Sequence, residues 1–376
     1  MLSATHVERR KRCESTCRLS QGGFVDRMIS HAGTRTAYCV VPKASCTFWL
    51  SVFRFLHNDT GNATFRSPLD IPRGEVHAFD HFRTRFKGIK PGEHRPEGLD
   101  GYLRFMFVRD PYSRLWSSYI DKHFLLDFWS TEGPMIAKFF RSGAGSKGPF
   151  GGSKWNSKCS SGHISFAEFL AYVADNGQRA PQKLNEHWRP VEYLCNPCAF
   201  CPQVIGRMDT FKADSAPVLR QMNLTWILDG RESSGQTLHQ MLTLIKDNFR
   251  YLGGEWFHDK KSYTSCMNAT VLAPRLWSAY QLYGYLPNHW DFPAKEFLKS
   301  PTKDRLIAIV TRTHDRMTPA IRKSLSKQRR TAMENAYRAV PMDVLERISS
   351  LYLYEFLTFD YEVRPLELFG KRYEQS

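Results

Sequence analysis

Two stretches of the chain change from strand-like to helix-like patterning within a few residues. Ala37 to Val41 is an unbroken apolar run of strand length, and Pro42 stops it, because proline cannot donate to a central ladder. From Thr47 onward Phe48, Val52, Phe53 and Leu56 recur at helical spacing, so Lys43, Ala44, Ser45 and Cys46 form a loop leading into a helix N-terminus. The plan repeats at Leu103 to Val108, a run apolar save for Arg104 and suited to a buried parallel strand. Arg109-Asp110-Pro111 ends it, with Pro111 placed to open a helix that continues through Tyr119. Farther on, Phe166, Phe169, Leu170 and Val173 share one face of a helix starting near Ser165, a stripe expected to pack into the core. Thr237 to Phe249 and Pro274 to Tyr285 read as further helices.

A helix N-terminus presents unpaired backbone N–H groups and about half a positive charge, which suits a phosphate or sulfate. Lys43, Ser45 and Thr47 add a cation and two hydroxyls to the first turn. The plainer alternative there is a capped helix with an exposed lysine. In the second segment Arg109 stands at a strand's carboxyl end and Ser117 lies two turns along the following helix. Arg109 offers a planar fork for a phosphate and Ser117 a hydroxyl, against the alternative of a surface pair with Asp110 or Asp121. Ligands of open α/β sheets bind outside the carboxyl ends of strands, so two such turns side by side would define one crevice with two anion pockets.

These residues resemble a known family. Pro-Lys-x-x-Cys-Thr-x-Trp at 42–49 is similar to the 5′-phosphosulfate loop of Golgi carbohydrate sulfotransferases, and Arg-Asp-Pro-x-x-Arg-Leu-x-Ser-x-Tyr at 109–119 to their 3′-phosphate motif. The chondroitin/dermatan 4-O-sulfotransferases and the HNK-1 sulfotransferase are the branch it resembles most. Asn185-Glu-His-Trp-Arg-Pro190, Cys195-Asn-Pro-Cys198 and Val204-Ile-Gly-Arg-Met-Asp209 resemble a third block, and Leu351 to Tyr361 the closing helix and aromatic tail. The chain departs from the branch with Ala-Ser at 44–45, where Val-Ala is expected, and with Asn185 in place of Asp.

The resemblance implies an α/β, P-loop-like sulfotransferase fold with a central parallel sheet flanked by helices. It also implies the donor, 3′-phosphoadenosine-5′-phosphosulfate. Lys43 would contact the 5′-phosphate and the oxygen bridging to the sulfuryl group. Pro42, Ala44, Ser45, Cys46 and Thr47 would wrap that phosphate, and Arg109 and Ser117 would hold the 3′-phosphate. Transfer to a sugar hydroxyl should rest on positioning and charge stabilisation, helped by a base that takes the hydroxyl proton. His77 and His187 are the candidate bases, with Glu186 a lesser one, and His81 lies close to His77 in sequence. No metal is implied.

Composition bears on partners and compartment. The chain has 376 residues and a formal net charge of +16, which favours polyanions. An anionic glycan acceptor, a glycosaminoglycan or a glycoprotein glycan, fits that charge. Nucleic acid is not expected, since no helix-turn-helix, zinc-finger, RRM or KH pattern occurs. Nine cysteines point to luminal disulfides, with Cys46 held back for the loop. Cys195-x-x-Cys198-x-x-Cys201 invites a zinc reading, but lacks a second pair at ligand spacing apart from the distant Cys13 and Cys17. Asn-x-Thr sequons at Asn58, Asn62, Asn223 and Asn268 agree with a secretory-pathway location.

The family's members are type II Golgi membrane proteins, yet no run of about 18 apolar residues is present. Val7 to Cys13 resembles the stem before the catalytic domain, so the expectation is a missing N-terminal anchor. Residues 1–33 read as a stem-like basic segment, 34–365 as the catalytic domain with a variable insertion at 229–330, and 366–376 as a tail. The glycine-rich 143–148 stretch is followed by Pro149 and preceded by no strand, so 141–162 reads as an exposed loop. Trp256, Trp277 and Trp290 could stack on sugars or fill a core, and Arg312, Arg316 and Arg322 could close over the donor, bind the acceptor or form a solvated face. A glycosaminoglycan-binding lectin without activity and a nucleotide-dependent kinase are the rival readings. The kinase lacks Gly-x-x-x-x-Gly-Lys-Ser/Thr.

Overall fold

A computed structural model describes residues 3–20, 25–60, 63–78, 86–89, 98–141, 164–229, 233–253 and 267–370. The chain divides into two compact units, one of 1–115, 173–231 and 347–364, the other of 116–172, 232–346 and 365–376.

The first unit is built on a five-stranded sheet of order β3-β1-β2-β4-β5. Its strands are β1 (Val25–His31), β2 (Thr36–Cys39), β3 (Phe86–Ile89), β4 (Leu103–Val108) and β5 (Val204–Arg207). The parallel part is β2, β4 and β5, with Thr36 opposite Leu103 and Phe105 opposite Val204. These are the strands whose apolar runs have no polar alternation, as burial on both faces requires. β1 pairs antiparallel with both β2 and β3, so the sheet is mixed, with an antiparallel edge that the sequence pattern did not reveal. β1 and the preceding helix α1 (Ala4–Thr16) fall within the stretch read as a stem, and Arg9 of α1 bonds the Ile205 carbonyl and Asp214.

Helix α2 (Cys46–His57) covers one face of this sheet. Trp49 is fully buried, with its ring 4.6 Å from that of Phe105 and 5.1 Å from that of Phe107. Tyr38 stacks on Phe105 at 5.0 Å. Gly206 of β5 lies against the Phe107 ring, where a Cβ would collide with it, so glycine is required for that ring to pack. Two disulfides join distant segments. Cys39–Cys195 ties the end of β2 to the stretch after Pro190, and Cys17–Cys198 ties the end of α1 to the short helix Pro197–Phe200. The expectation of disulfides is met, and the Cys195–Cys198–Cys201 run is divided between them with Cys201 a free thiol.

The second unit is helical among its described residues, with helices Ser233–Gly253, Ala269–Leu282, Lys303–Asp315 and Pro319–Arg338 packed together. Tyr280 is buried and donates to the Met241 carbonyl at 2.9 Å, joining the first two. The glycine-rich segment, His81, Asn62 and Trp256 lie outside the described residues. Asn58, Asn223 and Asn268 are exposed. Among the described residues no helix is long and apolar enough to cross a membrane.

Candidate active site

The first loop leaves β2 at Cys39 and enters α2 at Cys46. Lys43 and Ser45 both take left-handed backbone, with φ of +66° and +65°. Non-glycine residues rarely do so, and such outliers persist where the surroundings over-determine them, often at ligand clamps. Ser45 is the N-cap residue, yet its side chain makes no cap hydrogen bond. The first N–H groups of α2 have no acceptor within the helix, and Ser45 supplies them no side-chain cap. Pro42 and Ala44 are buried, and Lys43, Ser45, Cys46 and Thr47 are half-buried.

Because β2 and β4 are adjacent and parallel, the loops at their carboxyl ends lie side by side. Arg109 therefore reaches the first loop, its Nη1 donating to the Lys43 carbonyl at 3.4 Å. Asp110 begins α4 (Pro111–Tyr119) by accepting from the Ser113 N–H at 2.8 Å. Burial pushes its carboxyl above the ordinary value, against hydrogen bonds from Ser113 and the charges of Arg109 and Arg207. Ser117 is buried two turns along α4, in the stretch that belongs to the second unit.

His77 closes the short helix α3 (Arg73–Val76). Its Nε2 is 3.0 Å from the Thr47 hydroxyl, so this histidine sits at the first turn of α2. His187 is held differently. Asn185 Oδ1 accepts from both the backbone N–H and Nδ1 of His187, at 3.1 and 2.8 Å. An amide oxygen only accepts, so Nδ1 is the donor in this contact. Asn185, which departs from the expected Asp, thus still supplies the acceptor that fixes the ring. Glu186 is engaged in an ion pair with Arg27 of β1.

Two arginines that sequence reasoning assigned no role connect these parts. Arg114, 1% exposed, donates to the carbonyls of Pro42 (3.3 Å), Glu186 (3.4 Å) and Arg189 (2.5 Å). It also pairs with buried Glu355 at 3.4 Å. It therefore ties the first loop to the 185–190 block. Its place in the Arg-Asp-Pro-x-x-Arg motif was a signal, but not of this function. Arg27 has its pKa lowered by burial, offset by Asp26 and the Cys46 thiol and reinforced by Arg189. Nothing local in the sequence marks it. Together Lys43, Arg109, Arg27 and Arg189 make this part of the first unit rich in cations.

The turns that follow β2 and β4 stand side by side at the carboxyl ends of parallel neighbours, and comparison with known proteins gives the chain a family. Residues 34–247 match the model of the sulfotransferase family. The chain belongs to that family. It is 28% identical over 229 residues to carbohydrate sulfotransferase 11 of Rattus norvegicus, covering 57% of this chain and 61% of that one. Against carbohydrate sulfotransferase 12 of Xenopus laevis it is 34% identical over 214 residues, covering 53% and 49%. Against carbohydrate sulfotransferase 14 of Mus musculus it is 33% identical over 186 residues, covering 49% and 43%. The chain thus matches these relatives over about half of their length. No solved structure matches. The matched span holds the turns after β2 and β4, His77 and the 185–190 block, and it stops inside the helix Ser233–Gly253.

Proposed function

We propose that this sulfotransferase-family protein moves a sulfuryl group from 3′-phosphoadenosine-5′-phosphosulfate to a hydroxyl of an anionic glycan. The acceptor in this reading is a glycosaminoglycan or a glycoprotein glycan, with the 4-hydroxyl of the amino sugar in chondroitin or dermatan as first choice. The observation that carries it is the contact of Arg109 with the Lys43 carbonyl, 3.4 Å long. Residues 66 positions apart, each at the carboxyl end of a parallel strand, meet at one place.

In this reading Lys43 and the N–H groups of 45–47 hold the 5′-phosphate, and Arg109 and Ser117 hold the 3′-phosphate. The acceptor oxygen forms a bond to sulfur while the bond from sulfur to the phosphate's bridging oxygen breaks. Lys43 offsets the charge that gathers on that leaving oxygen. The acceptor's proton goes to a histidine, and the bond between His77 and Thr47 on the donor loop favours His77 over His187. The net charge of +16 supports an anionic acceptor. The two disulfides support work in an oxidising lumen, and family analogy alone makes that lumen the Golgi, with a membrane anchor.

The test is transfer of radiolabelled sulfate from the donor to desulfated chondroitin, dermatan and N-glycan acceptors, with Lys43→Ala as control. Label on one acceptor that disappears in the control is the expected result. The absence of both label and donor binding would overturn the reading and favour a glycan-binding protein without activity.

A further inference from the structure

The second unit contains a cavity of about 490 Å³ whose lining mixes aromatic, cationic and acidic side chains. Trp277 comes from the helix Ala269–Leu282, and His289, Trp290, Asp291 and Pro293 from the turn after it. Glu296 follows on a short helix, while Arg312, Thr313 and Arg316 come from the end of the helix Lys303–Asp315. Nothing in the mechanism above uses these residues.

Its walls are preorganised. The Trp277 indole N–H donates to the Trp290 carbonyl at 2.8 Å, and its ring meets Phe292 edge-on at 5.7 Å. Gln281 Nε2 donates to the same Trp290 carbonyl at 3.0 Å and to the carbonyls of Pro287 and Asn288. Gln328 grips the turn from the opposite side, donating to the Leu286 carbonyl at 2.8 Å and accepting from the Asn288 N–H at 2.9 Å. A ligand there would meet a turn whose conformation is already set, which lowers the entropy cost of binding.

Charge on the walls is unevenly matched. Both Glu296 oxygens accept from Arg312, at 2.6 and 2.7 Å, and Arg305 pairs with the same carboxylate at 3.3 Å. One carboxylate thus serves two guanidinium groups, leaving a cation in excess. Arg316 and Asp291 are exposed and make no ion pair among the described residues. A second cationic fork and a carboxylate acceptor are therefore available beside the half-buried Trp290 ring and His289.

We infer that this cavity is a glycan subsite for a sugar ring bearing a carboxylate, of the uronic-acid kind. The C–H face of such a ring packs on the Trp290 indole, Arg316 takes its carboxylate through paired N–H bonds, and Asp291 accepts from its hydroxyls. The volume lies within the range of small-ligand sites. The acid on the wall favours a ligand with hydroxyl donors over a phosphate cluster. The inference rests on the glycan-acceptor reading above, and assigns to the segment outside the family match a part in choosing the acceptor.

Calorimetric titration with a desulfated chondroitin hexasaccharide tests it, with neutral maltohexaose as control. The hexasaccharide should bind the parent protein, and Arg316→Ala and Trp290→Ala should each weaken it about tenfold while the titre of 3′-phosphoadenosine-5′-phosphate is unchanged. In transfer assays the same variants should raise the acceptor KM and spare the donor KM. Lys43→Ala should lose transfer yet bind the hexasaccharide normally, which separates failure of this subsite from failure of the transfer reading. Arg316 is exposed, so its variant keeps the test valid should Trp290→Ala fold poorly. Equal hexasaccharide affinity in parent and Arg316→Ala would overturn the inference, as would maltohexaose binding as tightly as the hexasaccharide.

Discussion

Replacing Arg114 by Met asks whether a buried guanidinium holds the donor loop to the 185–190 block. The side chains of Arg114 and Glu355 are each 1% exposed. Met keeps much of the volume but strands the Glu355 carboxyl and removes the donor to the carbonyls of Pro42, Glu186 and Arg189. Breaking a buried ion pair by removing one partner costs about 3–5 kcal/mol, out of about 5–15 kcal/mol for a whole domain. Glu355 can relieve part of this by taking up a proton, so the expected loss at neutral pH is about 3 kcal/mol. Arg114→Met/Glu355→Leu removes both charges and should recover about 1–2 kcal/mol relative to the single variant. Recovery stays partial because the three carbonyls and the Val191 N–H, which donates to Glu355 Oε1, still lack their partners. Donor affinity should stay low in both variants, since neither restores the tie to Pro42. Urea unfolding followed by circular dichroism gives the stabilities, and calorimetric titration with 3′-phosphoadenosine-5′-phosphate gives the affinities. A double variant as unstable as the sum of the two single ones would refute the stranded-charge argument. Normal donor affinity in the double variant would refute the positioning role.

Three further outcomes follow from the same geometry. His77→Ala should lower turnover about 10²–10⁴-fold with donor affinity retained if it is the base, whereas His187→Ala should be the milder change; equal, small losses in steady-state kinetics would exclude both. Gly206→Ala should destabilise by about 1–3 kcal/mol through overpacking against Phe107, read as a lower urea midpoint, and an unchanged midpoint would contradict the packing. Burial pushes the Glu355 carboxyl from 4.5 up to about 7, against the pull of Arg114 and the Val191 N–H. The folded protein therefore keeps a proton that the unfolded chain releases, so this group's stability is full at low pH and is lost as pH rises through about 7. The difference in stability between parent and Glu355→Gln should shrink or change sign along that rise, and a pH-independent difference would remove the group from the account.

The local units were legible because their cause is local. Apolar periodicity and the two prolines mark where the two strand segments give way to loops and where α4 begins; the observed boundaries at Leu103, Val108 and Pro111 follow that pattern, whereas β2 spans Thr36–Cys39 and stops short of the expected Val41. Lys43 and Arg109 were likewise readable, since each stands where a strand ends and a helix N-terminus begins. Residue pattern says nothing direct, however, about which strands pair. The contact of Arg109 with the Lys43 carbonyl exists because β2 and β4 are parallel neighbours.

Other features were decided only by packing across long separations. Arg114 looks like a surface arginine on an amphipathic helix until Glu355, 241 residues later, closes over it. Cysteine spacing offered many pairings, and it is the approach of β2 to the 195–198 turn that selects Cys39–Cys195. The antiparallel strand β1 brings Arg27 to Glu186, a meeting that no periodicity encodes. Sequence alone fixes the chemistry each segment offers, because that depends on a few neighbouring residues. Which of those chemistries share a site depends on strand order and burial, which only the folded chain sets.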